Sequence, residues 1–306
     1  MSEAPSMSEA KRALVEKYLR GEFAQQTGAD AHARQADSAA AESRESVTPV
    51  QTGGSEPPFF FLHGHVARGE FFYFPLARRL RPERPFYAVE PFRFDGLPVP
   101  PSFSSIAAAH LKSLRAVSPE GPYCLGGWCN GALLAYEMAR QLHAEGQQVD
   151  QLVLMNPVYL RYPAWHRFVR WTIRRVGPAL GRGEDKQLEL YLWLRHGLRF
   201  VAHTLAYVRS ADYRKANGFR GFGRDDYPGI YNWSAMDYAP PGLYPGRVAV
   251  IWSGAQPYRS GWRRAEKSEM VEVHILPGRH LYESLDILAE RLRTCLAPVV
   301  GSRSSA

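Results

Sequence analysis

The residues best suited to covalent chemistry lie in one short stretch of the sequence, residues 123–140. Within it, Gly127-Trp128-Cys129-Asn130-Gly131 follows the G-x-S-x-G pattern of a nucleophile elbow, with cysteine in the serine position. An elbow is a sharp turn from a strand into a helix, and its two glycines let the chain close tightly around the nucleophile. An apolar run precedes the pattern here, and an amphipathic segment from Ala132 follows it. We therefore predict that Cys129 is a catalytic nucleophile.

A helix that begins just after Cys129 would direct its free N–H groups towards the sulfur. From this position we expect a lowered pKa for the thiol and a stabilised oxyanion beside it. A lone G-x-C-x-G pattern is weak by itself, because free cysteines are often simply buried. Burial in the core is the interpretation that we favour for Cys124 and Cys295, the two other cysteines of the chain.

Two further polar residues follow predicted strands in an informative order. Asn156 comes directly after the apolar run of residues 151–155, and His280 follows the last predicted strand, residues 271–276. Ligands of a parallel sheet bind at the carboxyl ends of its strands, so we expect these side chains to meet Cys129 there. The order nucleophile, acid or amide, histidine is that of the α/β-hydrolases, and it makes His280 the predicted general base.

Two other histidines keep an alternative open for the base. His63 and His65 follow the apolar run of residues 59–62 and are predicted to lie at the same edge of the sheet. We prefer His280 because the residue after the last strand is the usual position of the base in such folds.

Apolar runs that alternate with helical patterns predict the fold class. Residues 59–62 and 151–155 have the composition of buried strands, and residues 47–51 that of an edge strand. Residues 85–90, 123–125, 247–252 and 271–276 are predicted as further strands of the same sheet. The alternation predicts an α/β-hydrolase fold, in which a mostly parallel, doubly wound sheet is covered by helices. Between about residues 157 and 233 the pattern changes to basic and aromatic helical segments. We predict that this insertion forms a lid over the carboxyl edge of the sheet.

The N-terminal part of the chain differs from the rest in composition. Residues 1–24 have an apolar stripe at helical spacing, and residues 25–46 are rich in Ala, Ser, Gln and Glu without periodicity. We predict a helix joined by a flexible linker to a folded domain at residues 47–300. A helix tethered in this way is suited to docking on a partner.

The distribution of charge points to an acidic partner. The net charge is +8, and residues 157–224 contain 14 Lys/Arg against 4 Asp/Glu, whereas the first 57 residues contain 6 against 9. A basic surface attracts anionic partners. Because no nucleic-acid-binding motif is present, we expect no nucleic acid partner. An acidic protein or a phosphorylated cofactor arm fits this segment, and the alternative is a solvated arginine-rich helical face.

Several classes of protein are disfavoured by composition. Three cysteines without metal-type spacing argue against a disulfide framework or a zinc site. No apolar run reaches the length of a transmembrane helix, and the N-terminus lacks the apolar core of a secretory signal. We therefore expect no bound metal, no membrane association and a location in the reducing cytoplasm.

Six segments in the right order resemble the type I thioesterase domains of nonribosomal peptide and polyketide synthases. They are residues 57–64 (PPFFFLHG), 73–77 (YFPLA), 121–128 (GPYCLGGW), 135–139 (AYEMA), 244–248 (YPGRV) and 277–280 (PGRH). The resemblance covers about residues 47–296 and is weakest in the lid. It implies an oxyanion hole formed by the backbone N–H groups of Asn130 and His65. It also implies a substrate delivered on the phosphopantetheine arm of an acyl or peptidyl carrier protein, with no cofactor bound to the enzyme itself.

The sequence departs from this family at two positions. The family's usual serine is Cys129, and its usual aspartate is Asn156. The two changes are chemically consistent, because Cys-His-Asn is a working catalytic set in other proteins. A thioester on cysteine stays activated, so we expect transfer of the acyl group to an amine, alcohol or thiol acceptor as well as hydrolysis. Asp237 remains an alternative to Asn156 for orienting His280.

Two other functions stay open on the sequence alone. A cysteine hydrolase of small lactones, similar to the dienelactone hydrolases, would also have a cysteine elbow. A non-catalytic module that binds carrier proteins would explain the loss of the family's serine and aspartate. The retention of a competent Cys-His-Asn set favours catalysis.

Overall fold

The computed structural model of the chain describes residues 47–64, 73–80, 83–90, 97, 100–207, 226–240, 242–254, 257–278 and 281–297. The predicted helix of residues 1–24 and the linker of residues 25–46 lie outside the described residues. The same holds for His65 and His280. In the described part of the chain, no helix combines the length and apolarity needed to cross a bilayer.

Among the described residues, seven strands form one sheet. They are β1 (Val47–Gln51), β2 (Phe59–Leu62), β3 (Phe86–Val89), β4 (Tyr123–Trp128), β5 (Val149–Met155), β6 (Val248–Ser253) and β7 (Val271–Leu276). Their order in the sheet is β1-β3-β2-β4-β5-β6-β7. Only the outer pair β1–β3 is antiparallel among the paired strands described, and every other neighbouring pair is parallel. The predicted α/β-hydrolase fold is confirmed.

Seven α-helices complete the described fold. They are α1 (Tyr73–Arg79), α2 (Phe103–Val117), α3 (Asn130–Ala144), α4 (Ala164–Ala179), α5 (Glu184–Tyr207), α6 (Tyr227–Met236) and α7 (Leu285–Leu296). Short 3-10 turns at Pro257–Gly261, Ala265–Lys267 and Leu281–Ser284 join the last elements. Helix α2 begins directly after Ser102, which caps its N-terminus. The Ser102 hydroxyl oxygen accepts the N–H of Ser105 at 3.0 Å.

The central strands β2, β4 and β6 are buried on both faces, which explains their apolar sequences. In β2 all four residues are fully buried, and alternate residues face opposite helical layers. Phe60 and Leu62 pack in the cluster that contains α2 and α3, whereas Phe59 and Phe61 pack in the cluster that contains α1 and α7. In a parallel sheet covered in this way, ligands bind at the carboxyl ends of the strands.

The insertion between β5 and β6 contains three described helices, of which α6 was not predicted. Asp226 directly precedes helix α6, and its carboxylate accepts the N–H of Gly229 at 3.0 Å. Three hydrogen bonds join α6 and Tyr238, two residues beyond its end, to the rest of the fold. These are Tyr231 Oη to the Asn130 carbonyl at 2.5 Å, Ser234 Oγ to the Pro101 carbonyl at 2.6 Å, and Tyr238 Oη to Glu137 Oε2 at 2.7 Å.

The other two lid helices, α4 and α5, form an outer pair. They pack against each other and against α6. Arg170 of α4 lies over the ring of Trp233 at 4.4 Å, and Tyr191 of α5 packs on the same ring at 5.1 Å. The lid therefore has an inner helix bonded to the core and an outer pair stacked on it.

Candidate active site

Cys129 occupies the sharp turn that the glycine pattern predicts. It lies between the end of β4 at Trp128 and the start of α3 at Asn130, with φ 57° and ψ −117°. Such a backbone conformation costs a non-glycine residue about 1–3 kcal/mol, so the surroundings must impose it. Two hydrogen bonds do so: the N–H of Cys129 donates to the Met155 carbonyl at 2.9 Å, and the N–H of Val158 donates to the Cys129 carbonyl at 3.3 Å.

The glycines of the motif are required by close approach. A side chain at Gly131 would overlap the carbonyl group of Leu62 at the end of β2, and one at Gly127 would overlap the backbone of Gly131. Gly64 packs just as closely, and its missing Cβ would overlap the Trp128 carbonyl and lie 2.8 Å from the Cβ of Cys129. The elbow is therefore held between the ends of β2 and β5.

The described surroundings of the Cys129 thiol make it a weak acid. Burial raises the pKa of the thiol to about 11, while the backbone N–H of Asn130, hydrogen-bonded to the thiol, acts in the opposite direction. Our prediction that the helix N-terminus lowers the pKa of the Cys129 thiol is therefore wrong for the part of the site that the structure describes. Desolvation of the thiolate outweighs the effect of the N–H group.

Asn156 lies at the carboxyl end of β5, beside the elbow, and its amide is held by Ser253 at the end of β6. Its Nδ2 donates to Ser253 Oγ at 2.8 Å, and the N–H of Ser253 donates to Asn156 Oδ1 at 2.8 Å. The backbone of Asn156 has φ 42°, a conformation in which asparagine is enriched. The reciprocal pair fixes the amide between two strand ends. Ser253 was not predicted as a site residue, and its one indication in the sequence is its position at the end of an apolar strand.

The predicted base His280 and the predicted oxyanion residue His65 lie outside the described residues, so both roles stay predictions. The alternative His63 is described and is already engaged. Its Nε2 is 3.1 Å from a carboxylate oxygen of Glu90, and its ring stacks on Tyr73 with centroids 5.3 Å apart. These contacts favour a structural role for His63 between β2, β3 and α1.

Asp237, the alternative orienting residue, is bound by lid arginines. Its Oδ2 lies 2.7 Å from an Arg170 guanidinium nitrogen and 3.1 Å from one of Arg174. It follows α6 and does not end a strand. Asn156 is therefore the better-placed residue at the carboxyl edge.

Tyr231 is a residue near the site that the sequence did not reveal. Its hydroxyl donates to the carbonyl oxygen of Asn130, the first residue of α3, at 2.5 Å. Burial raises the pKa of Tyr231 well above its ordinary value, and the nearby groups that act in the same direction include Cys129. The phenol is therefore neutral, and it ties the inner lid helix to the elbow.

The outer helix α4 carries large aromatic side chains on its solvent face. Trp165, Phe168 and Trp171 are each 60–63% exposed, and the rings of Phe168 and Trp171 stack at 5.8 Å. Helical spacing places the exposed Arg175 on the same side. We call these four residues the outer lid face. The three aromatic side chains form an apolar strip on the solvent side of the lid, and Arg175 places one positive charge beside it.

Comparison with known proteins bears on this arrangement. Residues 57–162 match the sequence model of the family described as Thioesterase domain. Atromentin synthetase of Tapinella panuoides is 32% identical over 120 residues, which make up 39% of this chain and 12% of that protein. Polyketide synthase PksR of Bacillus subtilis (strain 168) is 32% identical over 115 residues, which make up 37% of this chain and 4% of that protein. The chain thus spans 12% or less of the length of these two relatives.

A solved structure extends the comparison to most of the chain. The NocB thioesterase domain, in covalent complex with a fluorophosphonate nocardicin G analog, has 24% sequence identity and a TM-score of 0.50. The match covers 80% of this chain and 96% of that domain. The family match and the shared fold together confirm the resemblance of this chain to the thioesterase domains of nonribosomal peptide and polyketide synthases.

Proposed function

We propose that this chain is a cysteine thioesterase or acyltransferase of natural product biosynthesis. It would accept an acyl, peptidyl or polyketide chain from a carrier-protein thioester onto Cys129. The observation that carries the proposal is the strained turn between β4 and α3, which presents Cys129 beside the N–H of Asn130 at the carboxyl edge of the sheet. Such strain is kept where a nucleophile must be presented, and packing alone does not require it.

In the proposed acylation, the sulfur of Cys129 attacks the thioester carbonyl carbon while His280 takes the thiol proton. The N–H groups of Asn130 and His65 donate to the oxyanion, each contributing about 3 kcal/mol to the transition state. Collapse then breaks the bond to the phosphopantetheine sulfur, which leaves with the proton from the imidazolium. Because the pKa of Cys129 is raised to about 11, the thiol is protonated at neutral pH, and proton transfer accompanies the attack.

Asn156 would be a positioning residue for His280. Its amide is fixed by Ser253 through two hydrogen bonds of 2.8 Å, so it offers a rigid neutral acceptor at the strand end. A carboxylate is less necessary here than in a serine enzyme, because cysteine is the more acidic nucleophile. Replacement of Asn156 by aspartate preserves the shape and tests the charge. We expect the acidic limb of the activity profile to move up by about one pH unit, since a nearby carboxylate stabilises imidazolium.

The second half of the reaction would release the chain to an acceptor. Transfer from one thiol to another conserves the thioester, so the acyl group stays activated on Cys129. An amine, alcohol, thiol or water then attacks the carbonyl carbon, loses its proton to the base and frees the thiol of Cys129. A Cys129→Ser variant would hold a less activated ester, and its transfer to an added amine should be slower than that of the native chain. Equal rates of amide formation would contradict acyl transfer by the cysteine.

We propose a carrier protein as the partner that presents the substrate, and the outer lid face as a surface that contacts it. Carrier docking would suit a surface where the aromatic side chains of Trp165 and Phe168 lie beside the positive charge of Arg175. An Arg175→Glu variant should lose about 10-fold in kcat/KM with a carrier-bound donor. Its activity with a small pantetheine thioester should not change. An equal loss with both donors would show that Arg175 does not act through the carrier.

The acylation proposal is tested by intact-protein mass spectrometry after incubation with acyl-pantetheine and acyl-carrier thioesters. We expect an adduct on the native chain and none on Cys129→Ala. Cys124→Ala is the matched control, because Cys124 is a buried thiol inside β4 and lies at no strand end; it should form the adduct normally. Discharge of the adduct by an added amine would support transfer, and discharge by water alone would support simple hydrolysis.

The alternatives give different outcomes in the same experiment. A hydrolase of small lactones would turn over lactones without forming an adduct from carrier thioesters. A non-catalytic module would bind the loaded carrier protein, form no adduct and release no product. Either pattern would overturn the proposal.

A further inference from the structure

A second group of chemically competent side chains lies at the other end of the sheet from β1. Glu272 and His274 are two residues apart on β7, so their side chains share one face of the strand. Cys295 of α7 packs against that face. In the sheet, β7 is three strands from β4, which places the group about 14 Å from the elbow strand.

The three side chains converge on a single nitrogen atom. His274 Nε2 is 3.1 Å from Glu272 Oε1 and 3.5 Å from Cys295 Sγ, and the three ligand atoms all lie within 4.8 Å of one another. A proton relay of the catalytic kind would use both ring nitrogens, one for each partner. Here a carboxylate oxygen and a sulfur both lie near the same ring nitrogen. Such an arrangement is suited to a shared cation.

The spacing agrees with the geometry of a tetrahedral zinc ion. Zinc binds sulfur at ~2.3 Å and nitrogen or oxygen at ~2.0 Å, so tetrahedral angles place a sulfur and a nitrogen about 3.6 Å apart and a nitrogen and an oxygen about 3.3 Å apart. The separations at His274 are 3.5 Å and 3.1 Å. Two of the three separations between ligand atoms therefore agree with a zinc-bound arrangement, and the third, between Glu272 Oε1 and Cys295 Sγ, is within 4.8 Å.

We propose that Glu272, His274 and Cys295 bind one zinc ion, with a water molecule as the fourth ligand. The set of a thiolate, an imidazole and a carboxylate favours zinc over magnesium or calcium, which prefer oxygen ligands. Cys295 is buried and Glu272 is exposed, so the ion would enter from the Glu272 side and water would reach the open position. On binding, the Cys295 thiol releases its proton to solvent.

Neighbouring charges partly balance this site. Arg247 and Arg291 lie close enough to Cys295 to act on its ionisation. The two anionic ligands together carry as much negative charge as the zinc ion carries positive charge. Because the protein supplies only three of the four ligands, we expect a site of moderate affinity, weaker than one with four protein ligands.

The site would cross-link two elements on either side of the predicted base. His274 precedes and Cys295 follows the segment that contains His280 in the sequence. Zinc would therefore hold the end of the sheet and the last helix together around that segment. The inference goes beyond the proposed thioester chemistry and does not depend on it.

Cobalt(II) substitution gives the sharpest test of the cysteine ligand. The full chain is freed of metal with a chelator, dialysed and titrated with cobalt chloride, and a thiolate-to-cobalt charge-transfer band is recorded in the near ultraviolet. We expect the band with one equivalent of cobalt in the native chain, in Cys124→Ser and in Cys129→Ser. It should be absent from Cys295→Ser. A native chain without the band, or a band lost only in Cys129→Ser, would overturn the proposal.

Glu272→Gln provides a second test in a variant that should fold normally, because the side chain is exposed and its shape is kept. Zinc affinity is measured by competition with a chromophoric chelator. Loss of an outer partner of a metal ligand already weakens binding about 10- to 100-fold, so loss of this ligand should weaken it by more than about 100-fold. The exposed Glu269→Gln serves as the matched control and should bind zinc like the native chain. Equal affinities of Glu272→Gln and the native chain would also overturn the proposal.

Discussion

Two thiols of this chain, the half-buried Cys129 and the buried Cys295, have similar acidity and different surroundings. Burial raises the pKa of Cys129 to about 11 and that of Cys295 to about 12, where Glu272 adds to the effect. Cys129 lies in a strained turn at the start of a helix and faces an N–H donor. Cys295 lies in the regular last turn of α7 and faces lone-pair atoms. Burial and acidity alone therefore do not identify a nucleophile.

The two positions differ in the sign of the charge that their surroundings can stabilise. Free N–H groups at a helix N-terminus stabilise negative charge that develops on a reacting carbonyl oxygen. Converging oxygen, nitrogen and sulfur atoms stabilise a positive ion. From this comparison we expect covalent acyl chemistry at Cys129 and metal chemistry at Cys295. The following three predictions test that division, from the largest effect to the smallest.

Activity should depend on one thiol. Removal of a nucleophile lowers turnover by about 10⁴-fold or more, and we expect this loss in Cys129→Ala with any thioester that the chain hydrolyses. Cys124→Ala should stay within about threefold of the native rate, because Cys124 contacts Arg84 and packs in the apolar core inside β4. Steady-state kinetics with both variants measure the ratio. A similar loss in the two variants would mean that cysteine removal acts through the fold.

The two thiols should also differ in access. In the native chain, iodoacetamide should modify Cys129 about 100 times faster than Cys295, which is only 3% exposed. Between pH 7 and pH 9 the rate at Cys129 should rise about tenfold per pH unit, because a thiol with a pKa of about 11 gains thiolate steadily over that range. Peptide mapping by mass spectrometry measures both rates. A plateau below pH 8 would reveal a resting thiolate–imidazolium pair instead of a protonated thiol.

Glycine substitution should change stability in opposite directions at the two positions. Cys129→Gly relieves the strained backbone and should raise the free energy of unfolding by about 1 kcal/mol. Cys295→Gly places glycine in a helix and removes a buried side chain, so it should lower that free energy by about 2 kcal/mol. Urea denaturation in the presence of a chelator compares the two without any contribution from metal. A loss of stability in Cys129→Gly would show that the turn is not strained.

Much of the fold could be predicted because the central strands are buried on both faces. Runs such as Phe59–Leu62 and Val248–Ser253 have no polar alternation, and their lengths exclude helices. The core positions of Cys124 and Cys295 were also predicted and are confirmed. The turn at Cys129 was recognisable because its glycines are fixed by local backbone approach, which leaves a pattern in consecutive residues.

The remaining features depend on contacts between distant residues. The raised pKa of Cys129 comes from burial that only the folded chain creates. The Asn156–Ser253 pair joins residues 97 positions apart, and the His274–Cys295 contact joins residues 21 apart on a strand and a helix. No short motif records such pairs. Helix α6 was missed because Pro228 and Gly229 weaken the helical pattern, whereas in the structure they lie in its first turn, where proline is tolerated.

The two-layered lid has a consequence for engineering substrate scope. Tyr231 and Ser234 of helix α6, and Tyr238 just beyond it, form hydrogen bonds to the core. The bond from Tyr231 reaches Asn130, the first residue after the nucleophile. Helices α4 and α5 rest on α6 and on each other. A graft that exchanges α4 and α5 for those of a related domain would therefore keep the elbow intact. A graft that included α6 would disturb the backbone around Cys129, so the boundary of an exchangeable cassette falls before Asp226.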